Sequence, residues 1–355
     1  MRDFALSPEL EELRAAADRL ARSELEPNVR EAEAAGRWPD AVLAVLDGFP
    51  LGGLDVPASL GGVEAGCFAK VVVLETIARA DASGLPGADR PGATAGAVAA
   101  CPDAALAAEV VASCLDGSAQ SAFTVIDPDV GSNGLDWAPG WPALRWIWAM
   151  EGDELRLHEV TGAAEPIVSL AFQASGGVAV PWSATTLRGR WALPARDALA
   201  VRGRARLWGA AVAVGIAQAA LDETIEYTSD RVVFGKPVAH HQANAFDLAH
   251  TAARVHAARL VVRDAAGSFD RGEPDAGFWA TQAWLEVREA AFNATNVGIQ
   301  LLGGHGFIVD HLAEKRFREA RHLAMAAGGL DAAEFDVAAS VLDVPDALLA
   351  SLEQR

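Results

Sequence analysis

The chain is poor in cysteine, in phenolic and sulfur-bearing side chains, and in positive charge. Of its 355 residues three are cysteine, three methionine and one tyrosine. Cys67, Cys101 and Cys114 are odd in number and no two have CxxC spacing. That argues against a disulfide framework and against a thiolate zinc site. Their plain reading is buried or half-buried thiols in helices. Lysine and arginine number 29 against 48 aspartates and glutamates, a formal charge of −19. A surface this negative repels nucleic-acid phosphates and anionic membranes. It does not bear on a small anionic ligand, which feels its local site, and a few placed arginines can hold a phosphate. Apolar runs break well before ~20 residues, so no membrane span is expected. The N-terminus lacks a basic stretch followed by an apolar run, so no signal peptide is expected and the cytoplasm is the expected location.

What is present favours helix. Hydrophobic residues make up 51% of the chain, enough for a sizeable core in one to three units. Alanine, leucine and arginine dominate many stretches. Ser7-Pro8-Glu9 reads as a capped helix start, and Leu10, Leu13, Ala16 and Leu20 continue it at helical spacing to about Glu33. Further helices are expected over Pro39–Phe49, from about Cys67 to Ala80, and from Pro102 to about Leu115. A glycine-rich loop with Leu54, Val56 and Leu60 at its centre covers Leu51–Gly62. The Gly-, Ala- and Pro-rich stretch from Asp81 to Pro102 is open to either a mobile or a helical reading.

The middle reads as β. Ala122–Ile126, Arg145–Met150, Glu154–His158, Pro166–Leu170 and Thr186–Trp191 are short strand candidates. Glu151-Gly152-Asp153 suits a hairpin turn, and the Pro and Gly residues between Asp127 and Gly134 suit a loop. Six of the ten tryptophans lie between residues 137 and 191, a pattern expected of sheet core and domain interface. The last section returns to helix. One is expected from Arg206 to about Ser229, with a stripe through Leu207, Val214, Leu221 and Ile225. A second covers His241 to Asp270, and a third follows Pro274 to about Leu302. Two shorter ones cover Glu314–Met325 and Ala332–Leu342. In the third, Phe278, Leu285, Phe292 and Ile299 recur every seven residues, which fits antiparallel helices packed along their length. The expected division is a helical domain over 1–118, a shortened β domain over 119–203, a four-helix bundle over 204–345 and a tail over 346–355.

Three segments carry potential chemistry. Arg231 through Pro237, with Gln242 beyond, lies between two long helices. Gly235 and Pro237 break one helix and restart the next. That frees the Arg231 guanidinium, which suits a diphosphate, and offers Phe234 as a flat apolar face. The bland alternative is a plain helix–helix turn. Gln300 through Phe307 ends the third helix with Gly303, Gly304 and Gly306, which permit positive φ and close backbone approach to a ligand. The bland alternative is a helix cap. This is not GxGxxG between a strand and a helix, so a doubly wound dinucleotide fold is not supported. Ser132, just past a strand, can donate to a ligand oxygen or simply close a turn.

Together these pieces resemble the acyl-CoA dehydrogenase family over nearly the whole chain. “LGGLDVPASLGG” from Leu51 is similar to the family's N-terminal loop, and “FTVIDPDVGSN” from Phe123 to its substrate and flavin strand. “GIAQAALDETIEYTSDRVVFGKPVAHHQ” from Gly215, “QLLGGHGF” from Gln300 and “EKRFREAR” from Glu314 follow in the expected order. The resemblance implies a mainly α fold with a small β domain: an N-terminal helical domain, a middle β domain and a C-terminal four-helix bundle. It implies oxidation of the Cα–Cβ bond of an acyl-CoA, with a glutamate taking the α proton, FAD taking the β hydride, and an electron-transfer flavoprotein receiving the electrons. Arg231, Phe234 and Gln242 would then touch FAD bound mainly by a neighbouring subunit. Gln300, Gly303 and Gly304 would touch its adenine and diphosphate end across the dimer. Ser132 would sit near the thioester, and Arg206 matches the arginine that begins the first long bundle helix beside the active site.

The chemistry also needs a carboxylate over the α carbon. Where the family has Glu-Gly-Thr, this chain has Ala327-Gly328-Gly329. The alternative family position is Ala205. Neither alanine accepts a proton. Asp331 and Glu334 are the carboxylates that could fold back, although ~1 Å errors in placement already matter for such chemistry. Residues 132–215 are shorter than usual, no segment resembles the “GxKxWITN” strand along the flavin, and Ile126-Asp127 replaces Thr-Glu. The expectation is a base-less subunit of a heteromeric acyl-CoA dehydrogenase, partnered by a homologous catalytic subunit. The mixed type handles bulky substrates, including steroid side chains. The alternatives are a self-sufficient flavoenzyme with a relocated base, and a non-flavin binding or scaffold protein on the same fold.

Overall fold

A computed structural model describes residues 5–126, 132–141 and 143–342. Helix α1 (Pro8–Leu20) starts as expected: the Ser7 side chain accepts from Leu10 N at 3.3 Å, with Glu9 and Glu11 in the first turn. The chain does not continue as one helix to Glu33. It passes through a π turn (Ala21–Leu25) and a 3-10 turn (Glu26–Asn28) before α2 (Val29–Ala35). Pro27 lacks the N–H that a continuous helix needs. Helices α3 (Asp40–Asp47), α4 (Gly66–Ala80), α5 (Leu85–Ala88), α6 (Ala95–Ala100) and α7 (Ala104–Leu115) follow, so the stretch after Asp81 is largely helical. Helix α4 is buried on most sides, and its first N–H groups are capped from a distance. The Asp270 carboxylate accepts from Cys67 N at 2.6 Å and Phe68 N at 2.8 Å, a pairing the helix N-terminus favours.

Among the described residues, seven strands fill the middle: β1 (Gln120–Ile126), β2 (Gly134–Ala138), β3 (Leu144–Glu151), β4 (Glu154–Val160), β5 (Glu165–Pro166), β6 (Val178–Pro181) and β7 (Thr185–Ala192). One sheet has the order β1-β3-β4-β7, with β1 parallel to β3 and the rest antiparallel. A smaller one is β2-β6-β5. The turn between β3 and β4 is Gly152-Asp153, Gly152 taking φ +54. The expected strand at Pro166–Leu170 is a correction. Only Pro166 lies in a strand, Ile167 N adds one hydrogen bond to Gly177 O at 3.0 Å, and Val168 and Leu170 are exposed, so apolar composition alone misled there. Trp146 and Trp148 are wholly buried beneath the larger sheet. Trp141 ties the β region to the N-terminal helices through Gly36 O at 3.1 Å. The expected loop at 127–131 lies outside the described residues.

The C-terminal section holds α8 (Ala195–Asp230), a two-stranded hairpin of β8 (Val232–Val233) and β9 (Lys236–Pro237), then α9 (Gln242–Asp270), α10 (Ala276–Leu302), α11 (Ala313–Leu323) and α12 (Gly329–Leu342). Helix α8 begins at Ala195 rather than near Arg206, because nothing after Pro194 interrupts it. It is also not amphipathic. From Ala205 to Ala217 every residue but Trp208 is buried, as for a helix enclosed on all sides. A Cβ on Gly203 would lie 2.5 Å from Gly277 O, one on Gly209 3.1 Å from the Trp284 ring, and one on Gly298 3.0 Å from Thr224 Oγ1. Helices α8 and α10 therefore run parallel in close contact, with α9 antiparallel to both. The seam of α10 is Ala280, Ala283, Trp284, Val287, Ala291 and Ala294, all buried. The seven-residue series Phe278, Leu285, Phe292 and Ile299 is its half-buried flank. Small side chains bring these axes together, and the large ones line the edge. No helix among the described residues is long and apolar enough to cross a membrane.

Candidate functional site

Because α8 and α10 are parallel, the hairpin after one and the glycine loop after the other lie at the same end of the bundle. Arg231 caps α8, its N–H donating to Tyr227 O at 2.9 Å, and Val238 N donates back to Arg231 O at 2.8 Å. The hairpin turns on Phe234 (φ +51) and Gly235 (φ +79). Positive φ at both central residues is the geometry that two-residue hairpins require, and it is strained for phenylalanine. The ring is 94% exposed, with only the edge of His241 near it at 6.5 Å. A second contact fixes the turn: His241 Nε2 lies 3.1 Å from Val233 O. The Arg231 side chain is exposed and has no ion pair among the described residues. Gln242 is exposed at the start of α9.

The other arm ends α10. Gln300 is exposed and its carbonyl accepts from Gly303 N. Gly303 has φ +59, and a Cβ at Gly303 or Gly304 would meet nothing within 4 Å. Gly306 differs, since a Cβ there would lie 2.5 Å from Ile299 O. Gly306 is thus required by the chain's own packing, whereas Gly304 faces open space. Tyr227 joins the two arms, its hydroxyl 2.8 Å from His305 Nδ1. Tyr227 and His305 carried no signal in the sequence reading beyond the rarity of tyrosine.

The second region surrounds the two alanines. Ala327 has φ +50 and ψ +43 between Met325 and the paired glycines, and its turn packs on β1 and α8. A Cβ on Gly328 would lie 3.0 Å from Val125 Cβ. Ala205 is buried. Asp331 is exposed, and Glu334 is turned away onto Arg288 at 3.0 Å. A third carboxylate, overlooked in the sequence, holds the central place. Asp336 of α12 accepts from Arg202 Nε at 3.0 Å and Nη2 at 2.8 Å, and pairs with Arg206 Nη1. The i, i+4 spacing of Arg202 and Arg206 on α8 was the available signal for a facing carboxylate. Arg206 is fully buried, three turns into α8 rather than at its start, and also donates to Thr281 Oγ1 at 3.1 Å. Its Nε and Nη2 have no partner among the described residues, and burial pushes its guanidinium below the usual arginine range. Ser132 is exposed and closes on its own turn, with Gly134 N donating to its Oγ at 3.2 Å. It does not join either region.

Between α4 and α8, a cavity bounded by Lys70, Val71, Arg204, Leu207 and Trp208 measures about 10 Å³, space for at most about one water. Charge fills the surrounding volume. Lys70 Nζ donates to Asp89 Oδ1 at 2.8 Å and Leu51 O at 2.6 Å, Trp208 Nε1 donates to Asp89 Oδ2 at 2.7 Å, and Arg204 donates to Asp55 O at 2.9 Å. Lys70 and Asp89 are buried. For FAD, an exposed guanidinium and glycines open to approach fit a diphosphate arm. Among the described residues, the loop after Pro166, with Val168 and Leu170 exposed, supplies no strand along an isoalloxazine.

Residues 7–118 match the family described as acyl-CoA dehydrogenase, N-terminal domain, and residues 195–342 match acyl-CoA dehydrogenase, C-terminal domain. The probable acyl-CoA dehydrogenase FadE25 of Mycobacterium tuberculosis is 28% identical over 357 residues, covering 90% of this chain and 91% of that one. Cyclohex-1-ene-1-carbonyl-CoA dehydrogenase of Geobacter metallireducens is 40% identical over 116 residues, 33% of this chain and 30% of that one. The butyryl-CoA dehydrogenase structure from Megasphaera elsdenii superposes with a TM-score of 0.81 at 19% identity, covering 96% of this chain and all of that one. With both terminal domains matched in order and the fold shared end to end, the chain belongs to the acyl-CoA dehydrogenase family.

Proposed function

We propose that this chain is the base-less subunit of a heteromeric, FAD-dependent acyl-CoA dehydrogenase. The observation that carries the reading is Ala327, a methyl group in a left-handed turn where the family places its proton acceptor. Asp331 is exposed and Asp336 is held by two arginines, so neither stands ready as a free base.

In this reading the catalytic partner supplies the glutamate, the acyl-CoA site and most of the flavin pocket. When bound, the flavin supplies the hydride acceptor, and an electron-transfer flavoprotein drains the electrons. This chain's residues bind and orient. Arg231 offers two parallel donors to the diphosphate, Gln242 adds an amide, Phe234 an apolar face, and Gln300, Gly303 and Gly304 a close backbone approach. Exposed Val232, Phe234, Phe307 and Val309 at this end of the bundle suit coverage by another chain.

Co-expression with a homologous acyl-CoA dehydrogenase chain tests the assignment. A yellow complex is expected, reducing an electron acceptor with acyl-CoA, with flavin lost on Arg231→Ala and activity unchanged by Asp331→Asn. A yellow, acyl-CoA-oxidising assembly of this chain alone would refute it. Absence of flavin in every pairing would leave the scaffold reading.

A further inference from the structure

His305 stands between the two arms of the candidate site. It follows Gly304 directly and is exposed. Its Nδ1 is occupied by the Tyr227 hydroxyl at 2.8 Å, and Tyr227 lies one turn before Arg231, whose N–H it accepts. One side chain thus links the loop bearing the open glycines to the helix end bearing the free guanidinium.

The ring is also braced. His311 packs edge-on at 5.4 Å from His305 and 5.7 Å from Tyr227. His311 Nδ1 in turn lies 3.4 Å from Glu223, which accepts from Leu312 N at 3.2 Å and pairs with Arg316. A solvated surface histidine has no use for this much fixing. A hydroxyl that donates to Nδ1 sets the tautomer with the proton on Nε2, and a protonated ring keeps that proton as well. With the hydroxyl as donor, and in the protonated ring, where the hydroxyl accepts, Nε2 is a donor on the side of the ring away from Tyr227.

We infer that His305 is a further cofactor-binding residue, donating from Nε2 to the diphosphate of the shared FAD, and that Tyr227 positions it. The inference rests on the shared-flavin reading. It adds to the site a side-chain donor that composition and motif gave no reason to choose.

The test is FAD titration of the flavin-stripped complex, followed by flavin fluorescence. His305→Ala is expected to weaken binding about tenfold, the effect of one charge-assisted hydrogen bond, and Tyr227→Phe by a smaller factor. A conservative pair isolates the atom responsible. Glutamine places its amide where Nε2 was, and asparagine where Nδ1 was. His305→Gln should retain most of the affinity and His305→Asn should behave like alanine. The reverse order, or no change in any variant, would overturn the inference in favour of a structural contact with Tyr227. A second arm uses the isolated full chain and ADP at millimolar concentration, read by the imidazole NMR signals. A shift confined to His305 supports the inference and an unmoved signal overturns it. If the wild-type complex holds no flavin, the shared-flavin reading falls and this arm still decides the role of His305.

Discussion

Single atoms decide the chemistry at Ala327 and Asp336. In the reading proposed here a methyl group, that of Ala327, stands where a carboxylate would take the proton. The half-buried carboxylate of Asp336 is already paired: it neutralises Arg202 and Arg206, whose side chains are 11% and 0% exposed. Breaking a buried pair strands its partners in low dielectric, at a cost of about 3–5 kcal/mol. Asp336→Asn should therefore lower the denaturant midpoint strongly, while Asp331→Asn leaves it in place. Equal midpoints for the two variants would show that Asp336 is not the anchor of α12. Arg231, Phe234 and Gln242 were legible in the sequence because glycine and proline mark the turn that exposes them. Asp336 was not, since its role depends on a helix more than a hundred residues away.

Helices and strands differ in how well pattern foretold them. Periodicity located α9, α10 and the shorter C-terminal helices, helped at α9 and α10 by glycine or proline near both ends. It misjudged α8, whose burial on all sides removes the polar face that periodicity needs. In α10 it selected Phe278, Leu285, Phe292 and Ile299, whereas the contact is made by alanines and glycines with Trp284 and Val287 among them. The parallel approach of α8 and α10 gives a direct test. A methyl group on Gly277 would lie 2.7 Å from Ala200 Cα, Ala200 N and Leu199 O, all backbone and unable to rotate away. Gly277→Ala should destabilise the chain by about 1–3 kcal/mol, the usual cost of overpacking, as read by urea denaturation. Gly304→Ala, with open space around it, should leave that midpoint unmoved.

At the scale of the molecule, a buried triad rivets the N-terminal helices to the bundle. Lys315 Nζ donates to Asp81 Oδ1 at 2.8 Å and to Glu319 at 2.5 Å, and Trp38 Nε1 donates to Asp81 Oδ2 at 2.7 Å. Two carboxylates face one ammonium, so the surplus negative charge is relieved by a proton. Burial, reinforced by Asp81, pushes the Glu319 carboxyl up to about 7, while the two carboxylates raise Lys315. A carboxyl raised in the folded state stabilises most below its unfolded value of 4.5. That contribution is lost as pH rises from there through about 7, a span worth up to ~3 kcal/mol. Glu319→Gln should flatten the stability profile across this window. A profile as steep as that of the wild-type chain would place the titration elsewhere. The Lys315 contribution is lost only above pH 10 or so and does not enter.

Order along the chain was enough to point to the family and the three-part fold, and to raise the base-less reading proposed above. Those depend on residue types in sequence: breakers, caps, helical stretches, and an alanine at the position that the resemblance gives to a glutamate. The tertiary structure alone decided the rest. It showed which carboxylate answers Arg206, that Gly304 faces open space whereas Gly306 does not, and that Tyr227 reaches His305. The reason is physical: these are properties of distance between segments far apart in sequence, and helical periodicity records which face is buried without recording what lies against it.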